Sequence, residues 1–351
     1  MGVVVECIIS VCGVVMVEVV AVWVMNVCGV GMVEVVGGMG NEYVWCWNGG
    51  GSGRYGVITI FVMNRRKQEF TNLLKMLQLI CLKRRINKIN AVVCSVLFLP
   101  FLFAFLMTLT HGLMKEKYLS KRFFYGFEFK SHIIMYSATF CKLFSLYLLY
   151  PTLTNLIAVA YSTSCYLCCG LLQQLYSEIE KCDPKALNYR VMTEMLKKRH
   201  QIISMLEMIE TTLSTASFLV CIANFLACLS GLSLLLIYLT ENTAMTIIQI
   251  SFMSGSALLS TISIFLNAGQ IPIEMERFSH LMRRRIEERF FLGLKSLYVP
   301  SDLPMADEKA FLLSGCDFIY YKKGTILSLL GTILTYGLLL LGIEFKHDFK
   351  K

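Results

Sequence analysis

Leu313-Ser314-Gly315-Cys316-Asp317-Phe318-Ile319-Tyr320-Tyr321 leads through Lys322-Lys323-Gly324 into Thr325-Ile326-Leu327-Ser328-Leu329-Leu330-Gly331-Thr332-Ile333-Leu334-Thr335-Tyr336-Gly337-Leu338-Leu339-Leu340-Leu341. From 325 to 343 the run is apolar and close to the roughly 20 residues that carry a helix across hydrocarbon. Ser328, Gly331, Thr332 and Thr335 follow steps of three, one and three and so share one helical face, opposite Leu and Ile. Such a stripe either lines a water-filled path or packs tightly on another helix.

The rest of the chain places this run in a bundle. With 56% hydrophobic residues, 16% charged and a mean hydropathy of +0.62, the 351 residues carry more apolar side chain than a soluble fold covers. Continuous rather than alternating apolar runs point to an all-α integral membrane protein, not a barrel. Four further spans are expected at 89–109, 143–172, 213–239 and 244–266. Pro100 kinks the first without ending it, and the second contains Pro151 and Asn155. Only Thr240-Glu241-Asn242-Thr243 separates the last two, which makes them an antiparallel hairpin.

Loop charge orients the spans. About 23 basic residues fall on one side and about 9 on the other, so the basic side is cytoplasmic. The C-terminal tail, 346–351, is then extracellular. Lys115, Lys117, Lys121, Arg122, Lys130 and Lys142 run against the trend.

The Thr335-Tyr336 pair, the Gly-Cys-Asp-Phe segment before it and the order of spans together resemble the arthropod gustatory receptor family. Its mark in the last helix is Thr-Tyr, a short apolar run and Gln-Phe. Here Gly342 and Ile343 stand where Gln-Phe is expected, and Glu344-Phe345 comes two residues late. The likeness covers about residues 60 to 345. It implies an inverted seven-helix chemoreceptor bundle, five to seven spans here, with cytoplasmic helical extensions over 57–345. It further implies a plasma-membrane ligand-gated cation channel, a homo- or hetero-tetramer with related subunits, opened by a small-molecule tastant.

The site residues follow on that footing. Thr335 and Tyr336 match the family motif, and periodicity makes Ser328, Thr332 and Thr335 pore-facing. Glu344 falls near the outer mouth, where a carboxylate ring concentrates cations. Phe144, Tyr147 and Tyr150, with Tyr136 just outside the span, are ligand candidates because aromatic rings with hydroxyl handles suit small organic molecules. The same residues also suit an interfacial aromatic belt.

Residues 1–56 fit less well. Val11-Cys12-Gly13-Val14-Val15-Met16-Val17-Glu18-Val19-Val20 recurs sixteen positions on at Val27 to Val36 with one change. The Val/Gly-rich tract is either low-complexity sequence or a source of the first spans.

Two segments carry helical patterning outside the membrane. Phe70, Leu73, Leu74, Leu77 and Ile80 form an amphipathic stripe that either lies on the inner leaflet or packs as a loop helix. Met192, Met195, Arg199, Ile202, Leu206, Ile209 and Leu213 form a heptad-like seam running into a span. That seam packs either on its own subunit or in a bundle where subunits meet. Arg283-Arg284-Arg285-Ile286-Glu287-Glu288-Arg289 reads as an orientation signal or lipid-headgroup contact with Glu–Arg pairing, not as a nucleic-acid site.

No catalytic motif is present, so no enzyme or cofactor is expected. Cys165-x-x-Cys168-Cys169 lacks a second ligand pair at zinc spacing, and the cysteines within spans read as small apolar residues. The alternative functions are a seven-helix receptor coupled to an intracellular partner and a secondary transporter. No span has a charge near its centre, which disfavours the transporter.

Overall fold

The computed structural model describes residues 66, 68–73, 83–112, 131–183, 185–239, 244–292 and 311–348; the repeat tract 1–56 lies outside them. Among the described residues these elements follow in chain order: α1 (Lys83–Gly112), α2 (His132–Tyr147), α3 (Leu153–Lys181), α4 (Tyr189–Leu239), α5 (Ala244–Ala268), α6 (Ile271–Phe291), β1 (Ser314–Gly315), β2 (Ile319–Tyr320) and α7 (Lys323–Asp348). Among the described residues four stretches are long and apolar enough to cross a membrane, Ile89–Thr110, Tyr150–Lys181, Tyr189–Leu235 and Ile247–Phe291. Lys323–Leu339 of α7 forms a shorter apolar helix among the described residues.

The expected span at 143–172 is corrected. A π-helical turn at Leu148–Thr152 separates α2 from α3, and Tyr150 leaves the helical region at φ −150 and ψ 122. Pro151 supplies no N–H to continue the ladder. A neighbouring hydroxyl takes up the carbonyl this frees, Thr152 Oγ1 donating to that of Tyr147 at 2.6 Å, and Thr154 Oγ1 donates to the Pro151 carbonyl at 2.8 Å. In α1, by contrast, the helix runs on through Pro100.

Length then divides the molecule. The 51 residues of α4 reach about 76 Å, more than twice a hydrocarbon core of about 30 Å. Its first half therefore stands outside the bilayer, beside the end of α3 and α6. The seven seam residues from Met192 to Leu213 are all buried in the chain's own core, in a cluster with Leu172, Leu175 and Ile179 of α3 and Phe278 and Met282 of α6. The Arg199 guanidinium lies 5.8 Å from the Phe278 ring centre, which explains a cation in an apolar seam. The seam is thus an intrasubunit one, and the reading in which subunits meet along it is overturned. Phe70 and Leu73 are buried in the same cluster, so the described part of the amphipathic stripe packs on protein. Leu74, Leu77 and Ile80 lie outside the described residues.

The arginine run of α6 is likewise tied to protein. Arg285 donates to the Glu180 carbonyl at the end of α3, and Arg289 to the Leu187 carbonyl just before α4. Glu288 pairs with Arg284 at 2.9 Å and Arg285 at 2.7 Å, the one-turn pairing expected. These cations brace the α3–α4 turn and sit where a helix C-terminus favours positive charge.

Close approach matters at the α5–α6 junction. A Cβ added at Gly269 would meet the Lys323 backbone nitrogen at 2.9 Å and the Phe265 carbonyl oxygen at 2.8 Å, neither of which can rotate away. Gly269→Ala is expected to cost about 1–3 kcal/mol, read as a lower thermal midpoint of the detergent-solubilised protein. Gly331→Ala, where no atom lies within 4 Å, is expected to change it by less than about 0.5 kcal/mol.

Candidate functional site

Helix α7 packs along a single line. Ile326, Leu330 and Ile333 are half-buried and Gly337 is buried against α4, where an added Cβ would meet Leu232 Cδ2 at 2.5 Å. Ser328, Gly331, Thr332 and Thr335 are all exposed. At about 100° per residue their stripe lies almost diametrically opposite the packing line. Within this chain the small residues therefore do not serve as a packing seam. Thr332 Oγ1 donates to the Ser328 carbonyl and Thr335 Oγ1 to that of Gly331, each at 2.8 Å. With their hydrogens so committed, both hydroxyls present oxygen lone pairs outward. Tyr336 is exposed about a quarter-turn to the side. Glu344 falls on the last turns of α7, where side chains lie outside the described residues.

The second candidate region surrounds the α2–α3 break. Tyr147 is fully buried, edge-on to Phe103 of α1 at 5.3 Å and to Phe252 of α5 at 6.3 Å, and those two rings stack at 4.2 Å. Phe144 stacks on Phe140 at 5.9 Å and meets Phe101 edge-on at 6.1 Å. Below this aromatic wall, Tyr150 Oη donates to Asn224 Oδ1 at 3.5 Å, and Asn224 Nδ2 donates to Ser260 Oγ at 3.1 Å. Tyr150, Asn224 and Ser260 are buried and belong to three different elements. Tyr136 lies on the same face of α2, eleven residues or about 16 Å from Tyr147, and is not part of this cluster.

Asn224, Ser260, Phe103 and Phe252 are members that sequence reasoning missed. The signal for Asn224 was available, since an amide in the middle of an apolar span needs a partner there. Aromatic residues on α1 and α5 gave none, because rings are common in every span.

The family model described as Trehalose receptor matches residues 64–351. The chain belongs to this insect gustatory receptor family. No curated protein sequence matches it. The fold is similar to two solved structures of the insect olfactory receptor OR5 from Machilis hrabei. One, at 13% identity and a TM-score of 0.58, covers 96% of this chain and 88% of that one. The other, in complex with eugenol, is also 13% identical, with a TM-score of 0.53 over 83% and 78% of the two chains. The expected all-α chemoreceptor bundle is therefore present, in a multi-pass membrane protein.

The polar floor of the second region yields a test. Asn224→Ala leaves the Tyr150 and Ser260 hydroxyls buried without that amide, and the expected cost is about 1–3 kcal/mol. Tyr150→Phe removes one long bond only, and the expected cost is below about 1 kcal/mol. Thermal unfolding of the two variants in detergent checks the order.

Proposed function

We propose that this gustatory-family protein is a subunit of a tetrameric, ligand-gated cation channel of the plasma membrane, opened by a small-molecule tastant. The observation that carries this reading is the position of the α7 stripe. Four small or polar residues in a row face away from the packing line, on a helix whose remaining surface is Leu-rich. In lipid alone that face has no favourable neighbour, whereas around a symmetry axis with water it has one. Ser328, Thr332 and Thr335 line the path, and hydroxyl oxygens with outward lone pairs suit a cation. Tyr336 flanks them, and Glu344 stands toward the outer mouth. The basic ends of α3, α4 and α6 lie in the cytoplasm, which puts the C-terminus outside.

The tastant binds near the α2–α3 break. Phe144 and Tyr147 supply ring faces, and Tyr150 with Asn224 supplies a buried hydroxyl and amide; this combination suits a small polar organic molecule, and the family name makes trehalose the first probe. Binding there acts on four elements at once, because the cluster is built from α1, the α2–α3 junction, α4 and α5.

Substituted cysteines separate a pore from a packing face. In cells expressing Thr332→Cys, a membrane-impermeant cationic thiosulfonate is expected to block trehalose-evoked current. The same reagent on Ile333→Cys, on the packing line, is expected to leave it unchanged. Equal insensitivity of both variants sinks the pore assignment. An epitope tag after Lys351 is expected to stain intact cells, and staining only after permeabilisation overturns the orientation.

A further inference from the structure

The hairpin before α7 is held far more densely than α7 itself. Its turn runs through Cys316 at φ 54 and Asp317 at φ 60, left-handed conformations that a non-glycine residue keeps only when its surroundings enforce them. One face of α4 supplies that enforcement through Glu210, Ser214, Ser217 and Phe218. The Glu210 carboxylate accepts the Ser314 backbone N–H at 3.0 and 3.1 Å to its two oxygens, and the Ser314 hydroxyl as well. Ser214 Oγ donates to the Ser314 carbonyl at 3.0 Å and accepts from the Cys316 N–H at 2.8 Å. Ser217 Oγ and Tyr321 Oη are 2.9 Å apart, and Phe218 stacks on Phe318 at 5.9 Å.

The same hairpin touches two more helices. The Tyr321 ring is edge-on to Tyr161 of α3 at 5.6 Å and to Phe265 of α5 at 5.1 Å. Two residues later, Lys323 Nζ donates to Gln270 Oε1 at the α5–α6 junction. So α3, α4 and α5 converge on the root of α7. Further along their shared interface the same α4 and α5 meet the α2–α3 break at Tyr150, Asn224 and Ser260. Asn224 and Ser214 are ten residues, about 15 Å, apart along α4. A change in how these helices sit at the first cluster is delivered to the second through rigid rods.

We propose that the hairpin, residues 314–321, is a gating latch: Glu210 and Ser214 are positioning residues that hold it against α4 in the closed state, and its displacement lets α7 move. This rests on the channel reading of α7. The competing role is a plain structural clip, which stabilises the fold and leaves the open–closed balance untouched.

Ser214→Cys in the full chain tests the difference. Its sulfur would replace an oxygen that lies 2.8 Å from the backbone nitrogen of Cys316, a free thiol, so the two side chains start from neighbouring backbone. Diamide oxidation of cells expressing this variant is expected to form the crosslink, seen as two thiols lost to maleimide labelling. Basal and trehalose-evoked cation current is then expected to fall about tenfold or more, and to return with dithiothreitol. Reversibility excludes misfolding as the cause, and Ser214→Cys with Cys316→Ser is the insensitive control. Glu210→Gln, which weakens the charge-assisted bonds, is expected to raise basal current severalfold at unchanged surface staining. A crosslink that forms and leaves current unaltered, or a Glu210→Gln that changes only surface amount, overturns the latch. Failure to crosslink overturns the contact on which it rests. An unmodified chain that carries no current removes the channel reading, and the latch with it.

Discussion

Inside hydrocarbon, apolar helix faces gain nothing from one another that lipid does not offer, so the bundle depends on close approach and polar bonds. Helix α4 concentrates both. Gly231 lets α5 come near enough that a Cβ there would strike Ser254 Oγ at 1.8 Å, and Asn224 reaches Ser260 on the same helix. Cys228 Sγ donates to the Ser254 carbonyl at 3.6 Å, and Leu232 covers Gly337 of α7. Outside the membrane the rule changes along the same helix. From Met192 to Leu213 it is held by ordinary apolar burial against α3 and α6, where water makes that burial favourable. One 51-residue rod thus links two differently stabilised bodies, and a rod without a break transmits displacement between them.

Much of this was legible in the sequence because periodicity reports faces. The spans, the seam from Met192 to Leu213 and the Ser/Gly/Thr stripe of α7 all come from spacing, and the structure keeps each of them on one face. What spacing does not report is which partner a face meets. The seam suits a neighbouring subunit or a helix of the same chain equally well, and only the fold puts α3 and α6 over it. Arg285 and Arg289 read as surface cations because their acceptors, the Glu180 and Leu187 carbonyls, lie more than a hundred positions away. The hairpin escaped for another reason. Strands of two residues are shorter than any detectable alternation, and the bonds that define it come from α4.

The α2–α3 break shows a local signal whose consequence was not local. Pro151 marks a kink by itself, but a kink in lipid is viable only when freed carbonyls find donors. Thr152 provides one within the turn, to the Tyr147 carbonyl. Once the break exists, Tyr147 and Tyr150 are released from the regular helical positions that would aim them along one stripe. One enters an aromatic wall and the other a polar floor, so two residues three apart contribute different chemistry to the same region.

The contrast between α7 and its root bears on motion. Thr332 and Thr335 use their hydroxyl hydrogens on their own helix, and Lys323 to Gln270 ties the start of α7 to the α5–α6 junction. Beyond it, contact with α4 and α5 is apolar and runs along one line. Apolar contacts in lipid can be exchanged for lipid contacts at little cost, whereas the bonds at Glu210 and Ser214 are specific, partly charge-assisted and lost together when the hairpin leaves α4. A helix attached in this way is held by one apolar line along its length and by polar bonds at one end. The free energy that resists its movement is therefore concentrated in the hairpin, and an input that acts on α3, α4 and α5 reaches α7 most strongly there.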